Sequence, residues 1–264
     1  MNLNLIKQQY LANGFTIIKG AVKKNKIDVV KKFLSTKKKD EIFKLRKKIK
    51  AKNNQEFIRK IKIIKKQNQL KKFYTEEEIK CIAGEFPLKI RLSKIYLKIF
   101  NNEIKKIFRD IIGTKDLFVH WPPVSRFVLP KNTTAAVPAH FDKMYNSHLK
   151  DFFTCWIPLV KIDKKCGGMK FFLTNKFNHK INKINKRDVK KKIWLDKLNT
   201  RGLKSIKTIL NPGDLIIFNK NLIHESLPNK SNYTRYSLDF RFFGKAKNSK
   251  KTFYSFKNKK LIKK

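Results

Sequence analysis

The chain has 264 residues, 41% of them hydrophobic and 12% aromatic, which is enough for one large domain with a substantial core and too apolar for wholesale disorder. The formal net charge is +46, yet only nine of the 65 basic residues are Arg and the other 56 are Lys. Nucleic-acid surfaces recruit Arg for bidentate contacts, so this Lys excess, with Asn, Ile and Phe also abundant, reads as coding bias from an AT-rich genome and a solvated basic surface rather than a nucleic-acid partner.

Leu3 to Leu11 reads as a short amphipathic helix stopped near Gly14, and Phe15 to Lys19 as a strand. Ile27, Val30, Phe33 and Leu34 have helical spacing. From Lys37 to Lys72 the chain is Lys-rich, with Ile42, Phe43, Phe57, Ile61 and Ile64 recurring, which predicts helices with one buried stripe and a charged face. Thr75-Glu-Glu-Glu78 is a capping box that opens a helix ending near Gly84. Another helix is expected from about Leu88 to Phe100. A third follows Asn101, turns Ile104, Ile107, Phe108 and Ile111 inward, and stops at Gly113. Residues 1–113 are therefore expected to be mostly helical.

The character changes at Leu117. Residues 117–120, 124–129, 153–160, 169–173, 206–210, 214–219, 222–227 and 234–243 read as short strands punctuated by Pro122-Pro123, Gly167-Gly168, Asn211-Pro-Gly213 and Pro228-Asn229. Many short strands suggest a closed or double-sheet β architecture over 114–244. A basic segment at about 179–204 is expected to be a surface insertion with a short helix, and 245–264 a loosely held basic tail of the same domain. No apolar run is long enough to span a membrane, and the N-terminus lacks the layout of a signal peptide, so a cytoplasmic protein is expected. Three cysteines without a Cys-x-x-Cys exclude a disulfide framework and a zinc finger; Cys155 reads as a core thiol and Cys166 as a turn residue.

The stretch Pro138-Ala-His140-Phe-Asp142 carries the first chemical signal. On a strand, residues two apart share a face, so an imidazole and a carboxylate can hold a divalent metal together. His224, in Leu222-Ile-His-Glu-Ser, is the best candidate for the third donor. Two His and one carboxylate with open positions is the pattern of a non-haem Fe(II) oxygenase. In Arg235-Tyr-Ser-Leu-Asp-Phe-Arg-Phe242, strict alternation packs one face on apolar neighbours and puts Arg235 and Ser237 on the other. A buried Arg calls for an anion, and its fork matches a carboxylate. Arg235 follows His224 by 11 residues, which suggests adjacent antiparallel strands.

Together, His140-x-Asp142, the Trp156-Ile-Pro-Leu strand, Gly167-Gly168, Pro212-Gly-Asp-Leu-Ile-Ile-Phe218, His224, Asn229 and Arg235-x-Ser237 resemble the phytanoyl-CoA dioxygenase family over roughly Phe15 to Phe243. The resemblance implies a double-stranded β-helix (jelly-roll, cupin-like) core with N-terminal helices packed against it, an α+β fold. It implies a dioxygenase that uses Fe(II), 2-oxoglutarate and O2 to hydroxylate a C–H bond of a small organic substrate, releasing succinate and CO2. It places iron on His140, Asp142 and His224, and the distal carboxylate of 2-oxoglutarate on Arg235 with Ser237 as helper. Trp156 is similar to a family position that contacts the cosubstrate, and Thr154, on the same strand face, is a further candidate. Arg126, Tyr145 and Asn146 are candidates for substrate contact; His120, His148 and His179 read as structural or exposed. Where the family often has a Pro-Gly-Ser-His turn, this chain has Leu173-Thr-Asn-Lys-Phe-Asn-His179, which leaves the substrate-side loop unassigned. Two other readings stand beside this one. A nucleic-acid demethylase of the same iron chemistry would use the pair Arg235 and Arg241, though Ser237 and Asp239 stand between them where Asn and Thr would be expected. A basic jelly-roll module without catalysis would lack a working metal triad.

Overall fold

The computed structural model describes residues 2–173 and 202–264. Its N-terminal part comprises α1 (Leu3–Asn13), β1 (Phe15–Ile18), α2 (Lys24–Lys48), α3 (Asn54–Lys66), α4 (Leu70–Phe73), α5 (Glu76–Ile82), α6 (Leu88–Arg91) and α7 (Asn102–Ile112). The caps that the sequence announces form. The Asn101 side chain accepts the Ile104 N–H at 2.8 Å, and Thr75 and Glu78 close a reciprocal capping box at the start of α5. The helix expected around Ile27 does not stop; α2 runs for 25 residues into the Lys-rich segment, burying Ile27, Val30, Leu34, Ile42 and Leu45 along one stripe. Phe43, expected in that stripe, lies off it and is 66% exposed. The helix expected from Leu88 to Phe100 is broken. α6 ends after one turn, and a 3-10 turn at Lys94–Ile99 restarts at Ser93, whose hydroxyl accepts the Ile95 N–H.

Twelve strands form two antiparallel sheets, counting only the described residues. The later strands are β2 (Phe118–His120), β3 (Val124–Val128), β4 (Val137–His140), β5 (Phe153–Pro158), β6 (Met169–Phe172), β7 (Ser205–Lys207), β8 (Leu215–Asn219), β9 (His224–Ser226), β10 (Arg235–Phe243), β11 (Phe253–Ser255) and β12 (Lys260–Ile262). The large sheet runs β1-β8-β5-β10-β2-β11-β12, with β3 also on β10; the small one runs β4-β9-β6-β7. This is the expected mixed helical and jelly-roll architecture. The basic segment at 179–204 falls almost wholly outside the described residues, as does His179. The tail corrects its expectation. Rather than lying loose, β11 pairs with β2 and β12 with β11, because Phe253 has an apolar berth against Phe118 and Phe243 and is fully buried. No helix among the described residues is long and apolar enough to cross a membrane.

β10 joins helices to cavity. Its outer face sends Phe240 and Phe242 into a ring cluster with Phe100 and Phe108, at centroid separations of 4.8 Å for Phe100–Phe240 and 4.6 Å for Phe108–Phe242. Each buried ring contributes on the order of 2–3 kcal/mol. That face explains why the N-terminal helices pack where they do. The inner face of β10 carries Arg235, Ser237, Asp239 and Arg241.

One glycine fastens α5 to this scaffold. Gly84 sits at φ +87°, its carbonyl accepts the Phe127 N–H at 2.8 Å, and a Cβ there would lie 2.5 Å from the Phe127 carbonyl oxygen. Gly84→Ala is therefore expected to lower unfolding free energy by about 2–4 kcal/mol, from backbone strain and overpacking together. Urea denaturation checks this; a loss below the ~1 kcal/mol of an ordinary surface change would mean that the turn relaxes freely.

Candidate metal centre and its cavity

β4 and β9 pair with His140 directly opposite His224, so backbone register alone brings the two rings to a centroid separation of 4.3 Å. The strand ends at His140. Phe141 continues extended, and Asp142 opens a 3-10 turn (Asp142–Met144), so the carboxylate reaches the imidazoles from a turn rather than from the strand that the two-residue spacing suggested. The outcome is the same. His140 Nε2 and His224 Nε2 each lie 3.9 Å from Asp142 Oδ1, and all three residues are buried.

The ring tautomers follow from their partners. His140 Nδ1 faces the Pro138 carbonyl at 2.7 Å and His224 Nδ1 the Leu222 carbonyl at 2.9 Å. A carbonyl only accepts, so each Nδ1 carries the proton and each Nε2 presents a lone pair to the centre. Burial lowers both imidazole pKa values, His140 to about 3, so neutral rings prevail at ordinary pH. Burial alone would raise the Asp142 carboxyl; Arg241 first, then the imidazoles and Thr154, hold it well below the usual carboxylate range. Two neutral imidazoles and a carboxylate within 4.8 Å are the donor set of a divalent transition metal.

The carboxylate is held from the opposite sheet. Thr154 on β5 donates its hydroxyl to Asp142 Oδ2, and Arg241 Nη2 donates to both carboxylate oxygens at 3.2 and 3.3 Å. Arg241 Nη1 sits 3.0 Å from Asp239 Oδ1, whose carboxyl burial pushes up to about 6 against the pull of Arg241. Asn146 holds the turn by donating to the Asp142 backbone carbonyl at 2.8 Å. Sequence reasoning considers Arg241 only as the second Arg of a demethylase-like pair, and Asp239 only as a departure from that pattern. The signal that would have found them is that the alternation placing Arg235 inside places Asp239 and Arg241 there too.

Arg235 does not lie on a strand next to His224. β9 belongs to the small sheet and β10 to the large one, because β9 is already flanked by β4 and β6. Arg235 instead approaches across the gap between sheets. Nη1 donates to the Gly167 and Leu227 carbonyls at 2.7 and 2.8 Å, and Nη2 donates to Ser226 Oγ at 2.8 Å. Gly167 is at φ +64°, and a Cβ there would meet the Pro228 carbonyl oxygen at 2.4 Å, so only glycine offers its carbonyl to Arg235 from this turn. Burial pulls the guanidinium down to about 10, still cationic at neutral pH, and its buried Nε–H has no hydrogen-bond partner among the described residues.

These groups line one cavity of about 790 Å³. Trp156, Ser237, Tyr145 and Asn146 line it with the triad, and Arg126 lines it from β3, opposite Ser237 in the β3–β10 register. Thr154 is spent on Asp142 rather than turned to the cavity. His120 also borders the cavity, its ring 4.6 Å from that of His148. The three cysteines are free and buried, Cys155 among them as the core thiol that its strand position suggested.

The family model for phytanoyl-CoA dioxygenase matches residues 10–237. No curated protein matches the sequence. Among solved structures, the chain is similar to the non-heme alpha ketoglutarate dependent epimerase SnoN from nogalamycin biosynthesis (TM-score 0.59, 13% identity, covering 92% of this chain and 83% of that one). SnoN has also been solved in complex with Fe3+, alpha ketoglutarate and nogalamycin RO. AviO1 from Streptomyces viridochromogenes Tue57 aligns at a TM-score of 0.57 and 11% identity, covering 93% of this chain and 96% of that one. EvdO2 from Micromonospora carbonacea var. aurantiaca, complexed with 2-oxoglutarate, aligns at 0.55 and 13%, covering 91% and 90%. At such identities the likeness is one of fold.

Proposed function

The chain belongs to the phytanoyl-CoA dioxygenase family, and from that premise we propose that this 2-oxoglutarate-dependent oxygenase hydroxylates a C–H bond of a small organic substrate at an iron held by His140, Asp142 and His224. The observation that carries the reading is the pair of Nε2 lone pairs converging on one Asp142 oxygen inside a cavity that also contains Arg235. Fe3+ and 2-oxoglutarate bound to proteins of the same fold support the cofactor pair.

Iron(II), when bound, supplies dioxygen activation coupled to oxidative decarboxylation of 2-oxoglutarate to succinate and CO2. The chain's own contributions are positional. Three of the five N–H donors of Arg235 are engaged, which fixes the plane of the guanidinium. The Arg235 guanidinium, on the cavity wall, is the charge partner for the distal carboxylate of 2-oxoglutarate, with the Ser237 hydroxyl on the same strand face as its helper. Trp156 walls the cosubstrate side, and Tyr145, next to His140, faces the substrate. No side chain is required as a general base.

The test is an anaerobic titration. Fe(II)-loaded protein should develop a charge-transfer absorption on addition of 2-oxoglutarate and release succinate once oxygen is admitted, slowly even without substrate. Arg235→Gln should raise the Kd for 2-oxoglutarate at least about thirtyfold, since losing a buried charge partner costs ~2–5 kcal/mol. Absence of the absorption, of calorimetric binding and of succinate in the unsubstituted protein would overturn the proposal.

A further inference from the structure

The charges of the cavity fall into two groups. In the inner group, Arg235 and Arg241 offset Asp142 and Asp239, while the charge of a bound Fe(II) offsets that of a bound 2-oxoglutarate dianion. This balance depends on the cofactor reading given above, and it leaves no inner charge for a substrate to satisfy. The outer group is unbalanced. Its one acid among the lining residues is Glu85, and Glu85 is committed to Arg91, which donates to it from Nη1 and to the Pro123 carbonyl from Nε at 3.0 Å. Arg126 is left with a loose contact of 3.9 Å to Glu85, and its guanidinium makes no hydrogen bond among the described residues. Its side chain is 24% exposed and stands on the cavity wall. Lys65, Lys80 and Lys251 line the same space without an ion pair among the described residues.

Arg is the informative residue here. In a chain that has taken Lys at 56 of 65 basic positions, four of the nine Arg line this one cavity. Three of the four have evident work: Arg235 on its carbonyls, Arg241 on Asp142 and Arg91 on Glu85. A planar fork kept at Arg126 with its donors unspent matches an anionic oxygen pair.

We infer that Arg126 binds an anionic group, a carboxylate or a phosphate, on the primary substrate, so that the substrate class of this oxygenase is an organic acid or phosphate ester. The apolar stretch of wall at Val124, Ala135, Val137 and Trp156 accommodates the carbon skeleton beside the metal ligands.

The test uses anaerobic protein loaded with Fe(II) and 2-oxoglutarate, and three probes of one chain length: octanoate, octyl phosphate and 1-octanol. Binding is read by calorimetry and by perturbation of the charge-transfer absorption. At least one anionic probe should bind about tenfold or more tighter than the alcohol, and the better of the two identifies the head group. Arg126→Gln should remove that preference and Arg126→Lys should keep part of it, while circular dichroism confirms the fold of both. Equal binding of the alcohol, no binding of either anion, or an Arg126→Gln variant that retains the preference overturns the inference. A loss of 2-oxoglutarate affinity in Arg126→Gln also overturns it, by placing Arg126 at the cosubstrate. If the unsubstituted protein gives no charge-transfer absorption at all, the underlying iron reading fails instead.

Discussion

Asp142→Ala is expected to abolish Fe(II) binding, weakening it by more than the ~10–100-fold that follows loss of a residue merely supporting a metal ligand. Succinate release should fall to the level of free iron. The carboxylate is the one anion among the three donors, and two neutral imidazoles are left to hold a dication without it. Folding should survive, because Arg241 keeps Asp239 at 3.0 Å as a counter-ion. Equilibrium dialysis under argon, with circular dichroism as the control, decides the matter. Wild-type iron affinity in a folded Asp142→Ala protein would put the metal elsewhere.

The second large effect belongs to Arg241→Met, and it is one of stability first. Arg241 stands between a buried carboxylate, Asp142, and a partly buried one, Asp239, and is itself only 9% exposed. Removing one partner of a buried charge pair costs about 3–5 kcal/mol, because the remaining charge has lost its compensation. The metal-free variant should therefore unfold at much lower urea concentration than the metal-free parent. Fe(II) should rescue the variant more than it stabilises the parent, since a bound dication compensates Asp142 directly. Matching urea midpoints for the two metal-free proteins would show that solvent already screens this cluster.

How far the sequence could be read depended on what kind of information each feature carries. The Thr75–Glu78 box, the stops at Gly14, Gly84 and Gly113, and the alternation over 235–242 are local signals, and each formed as read. The triad was legible as two motifs, but what joins them is the pairing of His140 with His224, 84 positions apart in the chain, which no local pattern encodes. Periodicity gives the face of a strand and says nothing about the sheet it joins. Hence Arg235 was placed on the inside correctly and beside His224 wrongly. The contact of Arg241 with Asp142 spans 99 positions and joins a strand to a turn, so the alternation showed a buried Arg without its partner. The tail was misjudged because its charge hides two inward residues, Phe253 and Ser255, that alternate along β11.

The large sheet has one more consequence, and it concerns the order in which the chain is made. β1 pairs with β8, Phe15 facing Phe218, so β1 leaves the ribosome about two hundred residues before its neighbour exists. The helices α2 to α7 emerge in that interval with their apolar stripes facing a sheet not yet synthesised, and β10, which seats the Phe100 and Phe108 rings, arrives later still. Such long-range closure is intrinsically slow and leaves nascent apolar surface exposed to misassociation. The dense lysines on those helices give the unfinished chain mutual repulsion during the wait. The same charge that decorates the finished surface thus acts as a solubility guard on the half-made protein, until β8, β9 and β10 complete the two sheets and, with them, the cavity.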